Sequence, residues 1–181
     1  MKSAPSHDPS ENDSEAVGAE AAFVPRAMSE SELPAYKSLY SRWKPGMDPS
    51  LMVPSGRTEI YFVWDRGEAI ALFEGHHKFG NWGRFSEYRD RSSSDYGSVA
   101  ATMVVVPERQ GERIGHKLLT WFIKQAEEVG NDVVLGFPDV TEEGLSDRVR
   151  FLERHGFRWL QSLDGPPSAM ELRLERESSA C

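Results

Sequence analysis

One stretch, Ser98 to Gly130, constrains this chain more than any other. A near-continuous apolar run, Ser98–Val106, leads through Pro107, Glu108, Arg109 and Gln110 into a segment where Ile114, Leu118, Leu119, Phe122, Ile123, Ala126 and Val129 recur at helical spacing. The run reads as a central strand buried on both faces. The periodic segment reads as an amphipathic helix over about Gly111–Val129, stopped by Gly130 and Asn131. A second buried strand, Asp132–Phe137, follows at once. Two strands joined by a crossover helix make a βαβ unit, so they are expected to be parallel.

The other elements fit around that unit. A short strand is expected near Ala22–Ala27. Ser29 and Glu32 have capping-box spacing, with Pro34 in the first turn of a helix that runs to about Trp43. Leu33, Tyr36, Leu39, Tyr40 and Trp43 mark its apolar face, and Pro45, Gly46 and Pro49 end it; a short helical piece near Pro49–Val53 is a weaker signal. Glu59–Trp64 and Glu68–Glu74, joined by Asp65-Arg66-Gly67, read as an antiparallel hairpin. Gly75 to Gly97 is a long polar connection carrying Phe79, Trp82, Phe85, Tyr88 and Tyr96; long connections tend to be functional or mobile. Those aromatics either wall a pocket or anchor the loop. Thr141 can cap a further helix bearing Leu145, Val149 and Leu152, closed by a left-handed Gly156. Phe157 to Trp159 and Met170 to Leu174, separated by Gly165-Pro166-Pro167, read as a last antiparallel pair.

Composition sets the bounds. A chain of 181 residues suggests one domain. Residues 1–20, rich in Ser, Pro, Ala and acids, read as a disordered tail, with the domain over 21–176 and a short tail at 177–181. No apolar run reaches the roughly 18–20 residues that span a bilayer, so no membrane partner is expected. Cys181 is the only cysteine, and no apolar signal core opens the chain; a cytoplasmic location fits. The net charge of −8 argues against nucleic-acid binding. It serves solubility or favours a cationic substrate such as an amine.

The turn after the first central strand carries the chemistry. The first N–H groups of a helix have no partner inside it, and with the helix dipole they form an anion site. Gly111 and Gly115 let a phosphate approach the backbone, and Arg109, Arg113 and Lys117 bring positive charge. A pyrophosphate suits such a turn. The spacing matches neither the nucleoside-triphosphate loop nor the dinucleotide fingerprint. A plain strand-to-helix junction with tightening glycines is the alternative.

Gln110-Gly111-Glu112-Arg113-Ile114-Gly115 resembles the [Arg/Gln]-x-x-Gly-x-[Gly/Ala] signature of the GCN5-related N-acetyltransferases, matching at Gln110 and Gly115. Phe151-Leu152-Glu153-Arg154-His155-Gly156-Phe157 resembles that family's second marker, and the order of elements from Ala22 to Leu174 is also similar. The resemblance implies an α/β fold with a central mixed sheet of about six to seven strands flanked by helices. It implies an N-acetyltransferase that moves an acetyl group from acetyl-CoA to a primary amine, either a small molecule or a peptide, with no metal. A homodimer is compatible with it. The cofactor would lie in a wedge between two splayed strands. Its pantetheine arm would meet backbone groups of Val104 and Val106 beside Val105, and its pyrophosphate the amides of Gln110, Gly111, Glu112, Arg113, Ile114, Gly115 and on to His116.

The sequence departs from the family pattern at three places. Arg113 stands at the middle glycine, Leu152 where a tyrosine often serves as general acid, and Leu145 where an asparagine often opens the helix. Water is then the expected acid, with His155 the second candidate. Glu74 and Asp95 are the candidate bases, with His76 and His77 further options. The rival function is a noncatalytic acyl-CoA-binding or regulatory domain.

Overall fold

The computed structural model describes residues 23–46, 48, 58–77, 97–138, 145–160 and 169–174. The expected helix at 49–53, the aromatics of the long connection, Asp95, Thr141, the Gly165 turn and both tails lie outside these residues. The described strands are β1 Arg26–Ala27, β2 Glu59–Asp65, β3 Glu68–His76, β4 Ser98–Val105, β5 Val133–Gly136, β6 Arg158–Trp159 and β7 Met170–Arg173. They form one mixed seven-stranded sheet in the order β1-β2-β3-β4-β5-β7-β6. The described helices are α1 Leu33–Trp43, α2 Ile114–Glu128 and α3 Leu145–Glu153.

The expected pairings hold. β2 and β3 are antiparallel, with Asp65 opposite Glu68. Arg66 and Gly67 both adopt positive φ, 49° and 84°, the two-residue hairpin turn whose twist matches that of its strands. β4 and β5 are parallel, as the crossover by α2 requires. The last two strands pair antiparallel, and β7 inserts between β5 and β6.

Each helix is placed by one sheet face. The capping box at Ser29 and Glu32 forms, with the Ser29 amide donating to Glu32 Oε2 at 2.7 Å. A 3-10 turn, Glu30–Glu32, leads into α1. The Phe122 ring of α2 lies 4.5 Å from that of Phe73 on β3, while two tyrosines of α1 bond to Glu74, the next residue along. Neighbouring residues on a strand point to opposite faces, so α1 and α2 cover opposite sides of the sheet. Phe62, Leu72, Val104, Leu118 and Phe122 are fully buried in the core between them.

Two expectations need correction. β4 is not buried throughout: Ala101 is exposed and Ala100, Thr102 and Met103 are only half-buried, because β5 flanks only its first three residues. Helix α2 begins at Ile114 rather than Gly111, because Gly111 and Arg113 take left-handed φ values of 91° and 59°, which an α-helix excludes.

Candidate active site

The site begins with a fault in the sheet. Gly75 on β3 pairs with Ala100, yet Glu74 pairs with Thr102, so Ala101 is an extra residue in β4. A bulge of this kind bends its strand and sharpens the local twist. Pairing with β5 stops at the same point, at Ala100 opposite Gly136. Beyond it the two strands part around a cavity of about 130 Å³ lined by Ala101, Thr102 and Met103, by Gly136 and Phe137, and by Leu152 of α3. A Cβ at Gly136 would come within 3.3 Å of Leu152, so glycine keeps this end of the gap open.

Register decides which backbone groups face the gap. The Val106 N–H donates to the Ile70 carbonyl at 3.1 Å. Bonding alternates along an antiparallel pair, so Val104, opposite Leu72, also turns its backbone groups to β3. Met103 and Val105 turn theirs to the gap. The Gln110 side chain confirms this by donating to the Val105 carbonyl at 3.2 Å. The backbone groups that face the gap are therefore those of Met103 and Val105, not those of Val104 and Val106. Sequence reveals the strand but not its phase.

At the end of β4 the chain turns into α2. The Gln110 N–H is taken by the Pro107 carbonyl at 3.2 Å, and the Lys117 N–H by the Arg113 carbonyl at 3.0 Å. No side chain caps α2, which leaves the Ile114, Gly115 and His116 amides without partners inside the helix. The amide at Gln110 is thus unavailable, contrary to expectation. These groups border an open pocket of about 670 Å³, together with Arg113, Arg154 and His155. His116 Nδ1 and His155 Nε2 are 2.8 Å apart, joining α2 to the turn that follows α3. Room, free amides and cations together fit the pyrophosphate of coenzyme A.

The three expected cations part company. Arg109 is held between Asp65 and Glu112, each at 2.6 Å, and Arg42 bridges Glu68 and Glu108. Both arginines fix the turn to the β2–β3 hairpin and α1, so Arg109 and Glu112 neutralise each other. Lys117 extends its ammonium towards the Phe23 ring. Arg113 is exposed and lines the pocket. Gly115 serves packing, since a Cβ there would meet the Met103 side chain at 3.3 Å.

Glu74 lies on the α1 side of β3 and is 93% buried, its exposure being 7%. Tyr36 and Tyr40 both donate to its Oε1, at 2.7 and 2.9 Å. Burial, then the adjoining carboxylate, pushes both phenols well above the ordinary tyrosine range, so both keep their protons. Thr102, the residue opposite Glu74 on β4, lines the cavity wall. Neither tyrosine was expected to matter beyond the apolar face of α1; their i, i+4 spacing was the available signal.

The other candidates disperse. His77 bonds Ser98 Oγ at 3.0 Å and stacks on Phe122, while Asn131 donates to both the Ser98 hydroxyl and the His77 carbonyl. It braces the start of β4 and lines neither cavity. His76 is the next residue back, half-buried at the end of β3. Leu152 does face the gap where the family tyrosine is expected. His155 lines the pocket at the start of α2 instead.

The mixed seven-stranded sheet with its flanking helices has the fold of solved acetyltransferases, among them a member of the GNAT family. Solved structures of that class superpose on most of the chain. The ribosomal-protein alanine N-acetyltransferase of Escherichia coli matches with a TM-score of 0.62 and 14% identity, over 87% of this chain and 97% of its own. An acetyltransferase of Thermus thermophilus gives 0.60 and 10%, over 84% and 97%. GCN5 of Tetrahymena gives 0.57 and 14%, over 84% and 97%. No family model and no curated protein sequence matches the chain.

Proposed function

We propose that the protein is an N-acetyltransferase that moves an acetyl group from acetyl-CoA to a primary amine. The observation that carries this reading is the parting of β4 and β5 at Ala101, which ends in the free amides of Ile114, Gly115 and His116. The gap suits a thin pantetheine arm, and the amides suit the diphosphate that follows it. When bound, acetyl-CoA supplies an activated acyl thioester.

The chain's own groups do the rest. Met103 and Val105 offer backbone hydrogen bonds along the gap, and a strand N–H aimed at a developing oxyanion is worth on the order of 10²–10³ in rate. Arg113 and Arg154 add charge at the phosphate end. Leu152 can hold no proton, so proton transfer falls to other groups. The acidic balance of the chain favours a cationic acceptor, a small amine or a peptide amine.

Thiol release from acetyl-CoA across a panel of primary amines tests the reading. Turnover with at least one amine is expected. Tight coenzyme A binding without turnover on any amine would leave a coenzyme-binding domain of the same fold.

A further inference from the structure

Two histidines line the pocket at the start of α2, and their hydrogen bonds fix where each proton sits. His155 Nδ1 lies 2.8 Å from the carbonyl of Phe151, one turn back on α3. A carbonyl only accepts, so this nitrogen carries the hydrogen, and Nε2 of the neutral ring is left as an acceptor. His116 Nδ1, 2.8 Å from that Nε2, is then the donor between them. Of the four ring nitrogens, His116 Nε2 alone keeps a lone pair that no hydrogen bond to a described residue uses. The Phe151 ring packs on His155 with centroids 4.6 Å apart, and the His116 ring with centroids 4.8 Å apart. His155 is half-buried and His116 exposed.

The unneutralised charges around this nitrogen share one sign. Arg113 at the start of α2 and Arg154 in the turn after α3 line the same pocket, and the positive end of α2 opens onto it. Arg109, also on the wall, is already tied to Asp65 and Glu112. Lys117, the next residue along α2, extends towards Phe23. Glu153 precedes Arg154 without lining the pocket, and among the described residues no carboxylate lines it. A proton on His116 Nε2 therefore meets like charge until an anion arrives to share it.

We propose that His116 binds a phosphate of the coenzyme through Nε2 and takes up a proton as it does so, with His155 as the positioning residue that fixes its tautomer. Solvent supplies the proton, and no covalent bond between heavy atoms changes. The imidazolium donates Nε2–H to a phosphate oxygen and Nδ1–H to His155, so the pocket gains one positive charge against the coenzyme. This deepens the N-acetyltransferase reading and rests on it, since that reading supplies acetyl-CoA as the anion. Coenzyme affinity is then linked to pH in the range where histidine changes charge, and it tightens as pH falls.

Calorimetric titration of the full-length protein in two buffers of unequal ionisation enthalpy tests this. The probes are coenzyme A and dephospho-coenzyme A, which keeps the diphosphate but lacks the 3′-phosphate. The wild type is expected to take up a fraction of a proton on binding at neutral pH, and to bind about fivefold to tenfold more tightly near pH 6 than near pH 8. His116→Gln keeps an amide that can donate to phosphate but cannot titrate. It loses the uptake and the pH response, and it melts near the wild-type temperature because His116 is exposed. The difference between wild type and His116→Gln cancels the titration of the coenzyme's own phosphate. His155→Phe keeps a ring on Phe151, removes the acceptor, and flattens the pH response as well. A response to both probes assigns the proton to the diphosphate; one confined to coenzyme A assigns it to the 3′-phosphate.

A His116→Gln or His155→Phe protein with wild-type uptake and pH response overturns the proposal. If His155→Phe fails to fold, His116→Gln decides alone. A wild type that binds neither probe at any pH overturns the acetyl-CoA reading itself; one that binds them without regard to pH overturns only the role of His116.

Discussion

At Arg113 two demands meet on one residue. Its φ of 59° is the left-handed conformation that glycine adopts freely and that costs other L-residues roughly 1–2 kcal/mol. The side chain is exposed at the pocket where the proposed function puts the cofactor's phosphates. Where the family pattern has glycine, this chain accepts backbone strain and gains a cation. Arg113→Gly is therefore expected to stabilise the fold by about 1 kcal/mol, raising the melting temperature by roughly 3 °C. It is also expected to weaken coenzyme A binding about threefold to tenfold at low salt, with the difference shrinking as salt rises. Calorimetric titration at two ionic strengths and a thermal melt measure both. A variant that binds as tightly as wild type removes Arg113 from the site.

Among elements, the β3–β4 pair matters most, because its bulge creates the gap. Gly75 sits at that register shift, and a Cβ there would lie 2.5 Å from a ring atom of Phe122 and 2.6 Å from one of Phe73. Neither ring is free to retreat, since both are buried against each other in the core. Gly75→Ala is expected to destabilise by about 1–3 kcal/mol, the usual range for overpacking, as seen by urea unfolding. It also displaces α2 from the sheet, so coenzyme A affinity falls with stability. Gly111 makes the contrast: a Cβ there meets nothing within 4 Å, yet its φ of 91° is strained for any other residue.

For the whole molecule, pH acts through a buried brace. Burial lowers the His77 imidazole below its ordinary value, with a nearby Glu59 opposing and His76 adding to the shift. Asn131 already donates to Ser98 Oγ, which leaves the Ser98 hydroxyl proton for His77 Nδ1 and favours the neutral ring. The unfolded chain protonates this histidine near pH 6.5, the folded chain only at lower pH. The unfolded state then binds more protons in that window. This contribution to stability is full above about pH 7 and is lost as pH falls from about 6.5 towards the folded value. Melting temperature should be flat from pH 7 to 8 and decline below 6.5, and His77→Gln should reduce the decline. An equal decline in the variant would assign it to other groups.

Periodicity and turn chemistry by themselves determined the elements: the apolar run of β4, the heptad-like spacing of α2, the Ser29–Glu32 cap, the Arg66-Gly67 hairpin and the left-handed Gly156 all depend on neighbours in the chain. The parallel β4–β5 pair was legible for the same reason, since a crossover helix permits little else. Tertiary structure alone decided the rest. Which backbone groups of β4 face the gap depends on register against β3, and a shift of one residue exchanges Val104 for Met103. Arg109 lost its expected freedom to Asp65, a residue far away in sequence. Glu74 acquired Tyr36 and Tyr40 from α1, and Thr102 as its neighbour on β4, because a helix and two strands converge there. Local pattern is written in residues a few positions apart; a site is made of groups that only folding brings within hydrogen-bond reach.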